Sequence, residues 1–202
     1  MAPLVDIDSA ALWSAIEAAG PRLWAHRGSE SADSDEALRE EHARRRTFIA
    51  WYGYAAPTRE AVRAVADFLE GRTVLEVCAG LGLWARLLRD EGVSVLATDA
   101  GEQQGPSYIC VEQCDALSAV DAHGSCDALL LCWPPEGQPV AAEALRRFGG
   151  ERLVYVGDGR FTGDAAFHDM LGSDWRLERR LPLPSWPGLE DCLRLYARNP
   201  RG

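Results

Sequence analysis

Thr73 to Leu88 reads TVLEVCAGLGLWARLL, and this stretch decides the fold. Its opening, Thr73 to Val77, is an apolar run rich in β-branched residues, the pattern of a strand buried in a parallel sheet. The run breaks at Ala79-Gly80-Leu81-Gly82 and resumes as Leu83, Leu87 and Leu88 around Arg86, which is helical spacing. A strand, a glycine turn and a helix in that order make a nucleotide-binding corner. Glycine lets the backbone approach a ligand with no Cβ in the way, and a helix N-terminus offers free N–H groups. Glu76, near the strand's end, points into the same corner.

The spacing Glu-x-Cys-x-Gly-x-Gly differs from the G-x-G-x-x-G of dinucleotide enzymes. It resembles the first motif of the class I S-adenosylmethionine-dependent methyltransferases, commonly (D/E)-x-G-x-G-x-G, with Cys78 where that family usually has Gly. Farther along, Val93 to Thr98 reads as a second strand ending in Asp99, about 20 residues past the glycines, where a carboxylate can accept from both hydroxyls of a ribose. Tyr108 to Val111 is expected as a short third strand, followed by Cys114-Asp115-Ala116. The resemblance implies that Asp115 accepts from the exocyclic amine of an adenine, with Cys114 and Ala116 beside the ring.

Composition excludes some partners. The net charge of −10 opposes sequence-independent binding to nucleic acid or to an anionic membrane surface, since both require a basic face. The one compact basic run, Arg44-Arg45-Arg46, follows Glu40 and Glu41 at pairing distance on a helix. No apolar stretch reaches the length of a membrane span, and MAPLVDIDS carries acids where a signal peptide has basic residues, so a cytoplasmic chain is expected. The six cysteines contain no Cys-x-x-Cys and the four histidines are scattered, which reads as free thiols with no metal site.

The remaining elements follow in order. Asp8 or Ser9 caps a helix carrying Leu12, Trp13 and Ile16, stopped by Gly20-Pro21. Arg27 to Asp33 reads as a loop, and a second helix runs from near Ser34 to about Ala50. The cluster Trp51-Tyr52-Gly53-Tyr54-Ala55-Ala56-Pro57 is either a hydrophobic plug over the sheet or an aromatic lid. Residues 1–57 are thus a helical cap and 58–202 the nucleotide-binding domain, whose first helix, capped by Thr58, carries Val62, Val65, Ala66 and Leu69. Asp127 to Cys132 is a fourth strand leading into Trp133-Pro134-Pro135. That resembles the (D/N/S)-P-P-(Y/F) motif of amino-methylating enzymes in the two prolines only, with Cys132 in place of the polar anchor. Helices at Val140–Phe148 and Asp164–Leu171 flank a fifth strand, Leu153 to Val156, whose glycine-rich turn holds Asp158. Trp175 to Leu183 and Asp191 to Arg198 are expected to close the sheet as a hairpin.

Taken together, these features resemble a small stand-alone group within the methyltransferase superfamily marked by Cys-Trp-Pro-Pro after the fourth strand. The expected fold is a Rossmann-like seven-stranded α/β/α sandwich with a terminal antiparallel hairpin and an N-terminal helical cap. The expected activity is methyl transfer from S-adenosylmethionine to a small-molecule acceptor, by a monomer or homodimer. Glu76, Ala79, Gly80, Gly82, Asp99, Cys114, Asp115, Ala116, Cys132 and Trp133 are the expected cofactor residues; Trp133, Tyr54, His168 and Asp158 are candidates for the reaction. Two other readings stay open: a cyclase in which the cofactor's own amine attacks to give an azetidine-type product, and a non-catalytic binding module.

Overall fold

The computed structural model describes residues 4–21, 35–101 and 106–200. The expected loop Arg27 to Asp33 and the helix start near Ser34 therefore lie outside the described residues. In chain order the elements are α1 (Ser9–Ala19), α2 (Asp35–Tyr52), α3 (Arg59–Leu69), β1 (Val74–Val77), α4 (Leu83–Asp90), β2 (Val95–Asp99), β3 (Glu112–Gln113) and α5 (Ala116–Ala122). They continue as β4 (Ala128–Cys132), α6 (Val140–Arg147), β5 (Arg152–Gly157), α7 (Ala165–Ser173), β6 (Trp175–Pro182) and β7 (Cys192–Arg198).

The strands form one seven-stranded sheet in the order β3-β2-β1-β4-β5-β7-β6. β1 to β5 are parallel neighbours, and β7 runs antiparallel between β5 and β6. This is the expected seven-stranded α/β/α sandwich with its terminal hairpin. Alternation along each strand splits the core in two. Val74, Val95, Ala97, Ala128, Leu130, Val154 and Val156 face α1, α3 and α4, whereas Leu75, Val77, Leu129, Leu131, Leu153 and Tyr155 face α5, α6 and α7. β1 and β4 are buried at nearly every position, which is why both read as continuous apolar runs.

Three elements differ from expectation. The third strand is not Tyr108 to Val111 but the next pair, Glu112–Gln113. Tyr108 and Ile109 are buried instead in the first core layer, and the Tyr108 N–H donates to the Leu81 carbonyl at 2.8 Å while its hydroxyl donates to that of Trp51 at 2.9 Å. Their apolar surface is thus spent bracing the glycine turn rather than extending the sheet edge. A helix that sequence reading missed, α5, begins directly after Asp115, whose carboxylate accepts from Leu117 N and Ser118 N at 3.1 Å each. Finally, α2 runs on through Trp51 and Tyr52, so only Gly53 onward forms a connecting loop.

α2 crosses the carboxyl end of the sheet. Phe48 is buried against Trp186 of the β6–β7 loop, with ring centroids 5.7 Å apart, and Arg44 lies over the same indole at 5.7 Å. Its next turns, Ile49 to Tyr52, thereby roof the region where β1, β2 and β4 end.

Candidate functional site

The turn after β1 alternates its backbone in a way only part of the sequence advertises. Cys78, Gly80 and Gly82 have φ of 57°, 54° and 73°. Cys78 therefore adopts the left-handed conformation that a glycine would take there, and the substitution leaves the path of the turn intact. A Cβ at Gly80 would meet nothing within 4 Å, since that side of the turn faces open space. At Gly82 a Cβ would come within 2.7 Å of Ile109 Cγ1, so this glycine serves packing. Gly82 also stands at the N-cap of α4 and has no side chain to satisfy that helix's first N–H groups.

Asp99 closes the turn from β2. Its Oδ2 accepts from Gly80 N and its Oδ1 from Gly101 N, both at 2.8 Å. Below lies Glu76, only 1% exposed, with Oε2 buried and without a hydrogen-bond partner among the described residues. Burial pushes the Glu76 carboxyl up to about 8; the Ala85 N–H works against this, and the Asp99 charge adds to it. Glu76 thus carries its proton at neutral pH. Burial likewise pushes the Cys78 thiol up to about 11 and the Cys132 thiol well above its ordinary value, so neither presents a thiolate at neutral pH.

These groups line one cavity of about 290 Å³ at the point where strand order reverses between β1 and β4. Glu76, Cys78, Ala79, Gly80 and Asp99 form its floor and one wall; Cys132, Trp133 and Pro135 form another, with Tyr52 to Ala55 above. Trp133, like Cys78, is strained. Its φ of 51° is left-handed, a conformation that costs a bulky residue about 1–3 kcal/mol. It is held there by its N–H bond to the Val156 carbonyl (2.9 Å) and by indole Nε1 donating to Asp191 Oδ1 (2.8 Å). The Tyr54 ring stacks on it at 5.4 Å and 20°, and the Arg45 guanidinium carbon lies 5.6 Å from its centroid.

Asp191 is the residue that sequence reading missed. It is 1% exposed, its Oδ2 has no hydrogen-bond partner among the described residues, and burial pushes its carboxyl up to about 7, opposed by the Trp133 N–H. The signal in the sequence was an acid opening an expected strand.

Of the expected site residues, Glu76, Ala79, Gly80, Asp99, Cys132, Trp133 and Tyr54 converge on this cavity. Gly82 sits just behind it. Cys114 to Ala116 adjoin rather than line it, tied in by Cys114 N donating to the Asp99 carbonyl at 3.0 Å. The Asp115 carboxylate is engaged by the α5 cap and by the Ser118 hydroxyl at 2.6 Å, bonds that hold it below the usual carboxylate range. Asp158 and His168 are not brought to the cavity. Although burial pulls the other way, hydrogen bonds from Arg160 and the Glu190 N–H hold the Asp158 carboxyl down at about 2. His168 donates Nε2 to the Thr162 carbonyl at 2.8 Å on the opposite face of the sheet, beside Tyr155 and Phe167.

Sheet order, terminal hairpin and a glycine turn at the switch point together define a Rossmann-like α/β/α fold. The chain is similar to magnesium protoporphyrin IX methyltransferase (ChlM) from Synechocystis PCC 6803 crystallised with S-adenosylmethionine, with a TM-score of 0.51 and 14% identity over 82% of this chain and 100% of that one. It is also similar to the Burkholderia thailandensis 1,6-didemethyltoxoflavin-N1-methyltransferase with bound substrate and S-adenosylhomocysteine, with a TM-score of 0.55 and 14% identity over 97% and 93% of the two chains. A third similar structure is Streptococcus pneumoniae Sp1610, assigned as a tRNA methyltransferase, with a TM-score of 0.51 and 13% identity over 72% of each chain. At such identities the likeness is one of fold. No protein-family model matches the sequence, and no curated protein matches it.

Proposed function

We propose that this chain binds S-adenosylmethionine in the cavity at the carboxyl ends of β1, β2 and β4, and transfers its methyl group to a small molecule. One observation carries the reading. A buried Glu76 oxygen, without a hydrogen-bond partner among the described residues, belongs to the same cavity as Asp99 and the open side of Gly80, so a site for a cation, a pair of hydroxyls and a closely approaching backbone coincide. The three similar structures are methyltransferases by description, and two hold S-adenosylmethionine or its product.

On this reading the chain's own residues bind, orient and exclude water. Asp99 has lone pairs left after its two backbone bonds, and these accept from the ribose hydroxyls. Glu76 is ionised by the approach of a cationic group. Gly80 permits close approach, and Cys114, Asp115 and Ala116 flank the adenine beyond Asp99. Trp133, set by Asp191, presents an indole to the sulfonium, while Tyr54 and α2 cover the mouth. The cofactor, when bound, supplies a methyl group on a positively charged sulfur that an aligned nucleophile displaces. No membrane-crossing helix is found among the described residues, and the six cysteines are unpaired, which accords with a cytoplasmic enzyme.

Calorimetric titration with S-adenosylmethionine tests the reading. Asp99→Ala should weaken binding about tenfold or more, since charge-assisted hydrogen bonds contribute roughly 1.5–3 kcal/mol each. A change below about threefold would remove Asp99 from the site. No binding by the parent protein at millimolar cofactor would overturn the proposal. With no acceptor present, mass spectrometry should recover intact cofactor; an azetidine-type product would replace methyl transfer with ring closure.

Trp133→Leu separates packing from cation recognition. A cation over an indole gains roughly 0.5–2 kcal/mol, so S-adenosylmethionine should bind about 2- to 30-fold more weakly. S-adenosylhomocysteine, neutral at sulfur, should change little. Equal losses for both ligands would show that Trp133 only packs.

A further inference from the structure

The cavity of about 290 Å³ is at the lower end of the roughly 300–1,000 Å³ typical of small-molecule sites. On the cofactor reading S-adenosylmethionine fills it, so an acceptor belongs at its mouth, where Trp133 meets Tyr54 and Arg45. We propose that the acceptor is a planar aromatic monocarboxylate, seated against the Trp133–Tyr54 pair with its carboxylate on Arg45. This rests on the reading of the cavity as an S-adenosylmethionine site.

Arg45 is distinguished by what it lacks. Its Nε is buried and has no hydrogen-bond partner among the described residues. The neighbouring Arg44, by contrast, bonds Glu41 at 2.6 Å and the Gly20 carbonyl at 3.0 Å. A buried guanidinium N–H without an acceptor is unfavourable unless a ligand supplies one. None of the residues lining the cavity is an arginine or lysine, while Glu76 and Asp99 are acids. Arg45 at the rim therefore supplies the positive charge that an incoming anion would meet. Asp191 attracts it through space, but lies behind Trp133 and spends Oδ1 on the indole.

The same arrangement selects shape and charge. Two stacked rings offer flat aromatic surface, on which a ring gains by offset stacking. A guanidinium fork matches the plane of a carboxylate. A second negative charge, as on a phosphate, would face Asp99 and Asp191 with no further cation lining the cavity.

The experiment titrates the protein, saturated with S-adenosylhomocysteine, with benzoate and naphthoate and with the neutral benzamide and naphthamide. The carboxylates should bind about tenfold tighter than the amides or better, the range for one charge-assisted pair. Arg45→Met, which keeps an unbranched side chain without the charge, should erase that preference and leave S-adenosylhomocysteine affinity within about twofold; Arg45→Lys should restore part of it. Equal binding of acids and amides, a preference that survives Arg45→Met, or no carboxylate binding to the loaded protein would each overturn the inference and leave the cofactor reading standing. Failure of S-adenosylhomocysteine itself to bind would overturn both.

Discussion

At pH 8 the ligand-free Glu76→Gln variant is expected to be more stable than the parent by about 3–5 kcal/mol, the linkage energy of a carboxyl moved from 4.5 to about 8. The sign follows from the proton count. Within that window the folded chain keeps the Glu76 proton and the unfolded chain has released it, so the folded state binds more protons and stability falls as pH rises. Below 4.5 both states are protonated and the contribution is complete. Glutamine mimics the protonated carboxyl at every pH and removes this slope. Part of the slope persists, because Asp191 is raised from 3.8 to about 7 by its own burial. Thermal unfolding at the two ends of the window measures the effect. The variant should gain roughly 6–20 °C over the parent at pH 8, at about 2–4 °C per kcal/mol for a chain of this size. A parent whose midpoint climbs between those pH values would sink the assignment. The cost of the substitution appears with ligand. A cation entering the cavity stabilises ionised Glu76, so the parent should release about one proton on binding S-adenosylmethionine near neutral pH. Titration in two buffers of different ionisation enthalpy reads that proton directly. Glu76→Gln should bind more than tenfold more weakly and release none.

Valine at Gly80 and at Gly82 should fail in opposite ways, although the two glycines stand two residues apart. Both positions have left-handed φ, which costs a side-chain-bearing residue about 1–2 kcal/mol. At Gly80 nothing lies within 4 Å of the new Cβ, so the fold should survive with an unchanged circular dichroism spectrum. The branched side chain would stand in the cavity, and S-adenosylmethionine affinity should drop about a hundredfold or more, an expected loss of ~3 kcal/mol. An unchanged affinity would mean that the turn faces no ligand. At Gly82 the new Cβ would lie 2.7 Å from Ile109 Cγ1 and 3.0 Å from Val111 Cγ2. Overpacking adds to the backbone strain there, for a total of about 2–5 kcal/mol in stability. Urea unfolding should show that loss for Gly82→Val and a much smaller one for Gly80→Val. Similar stabilities would contradict the packing described for Ile109.

What the sequence determined by itself is local. The corner from Thr73 to Leu88 was legible because a strand, a turn with positive φ and a helix each depend on residues adjacent in the chain. The approach of Asp99 to that corner was legible as well, because β2 is the parallel neighbour of β1 and its end falls beside the turn. Even the unexpected Cys78 obeys the turn's backbone requirement. The tertiary structure alone decided the rest. Asp191 meets Trp133 across 58 residues, because β7 inserts antiparallel beside β5 and brings the residue just before it to the carboxyl end of β4. Arg45 reaches the same indole only because Phe48 anchors α2 on Trp186 of a loop far along the chain. His168 looked equally available in sequence, yet α7 packs Phe167 and Leu171 onto the far side of the sheet and carries the imidazole with it. Propensity and spacing act over a few residues, whereas the side of the sheet a helix covers, and the strand an acid lands beside, are set by which apolar faces can be buried together.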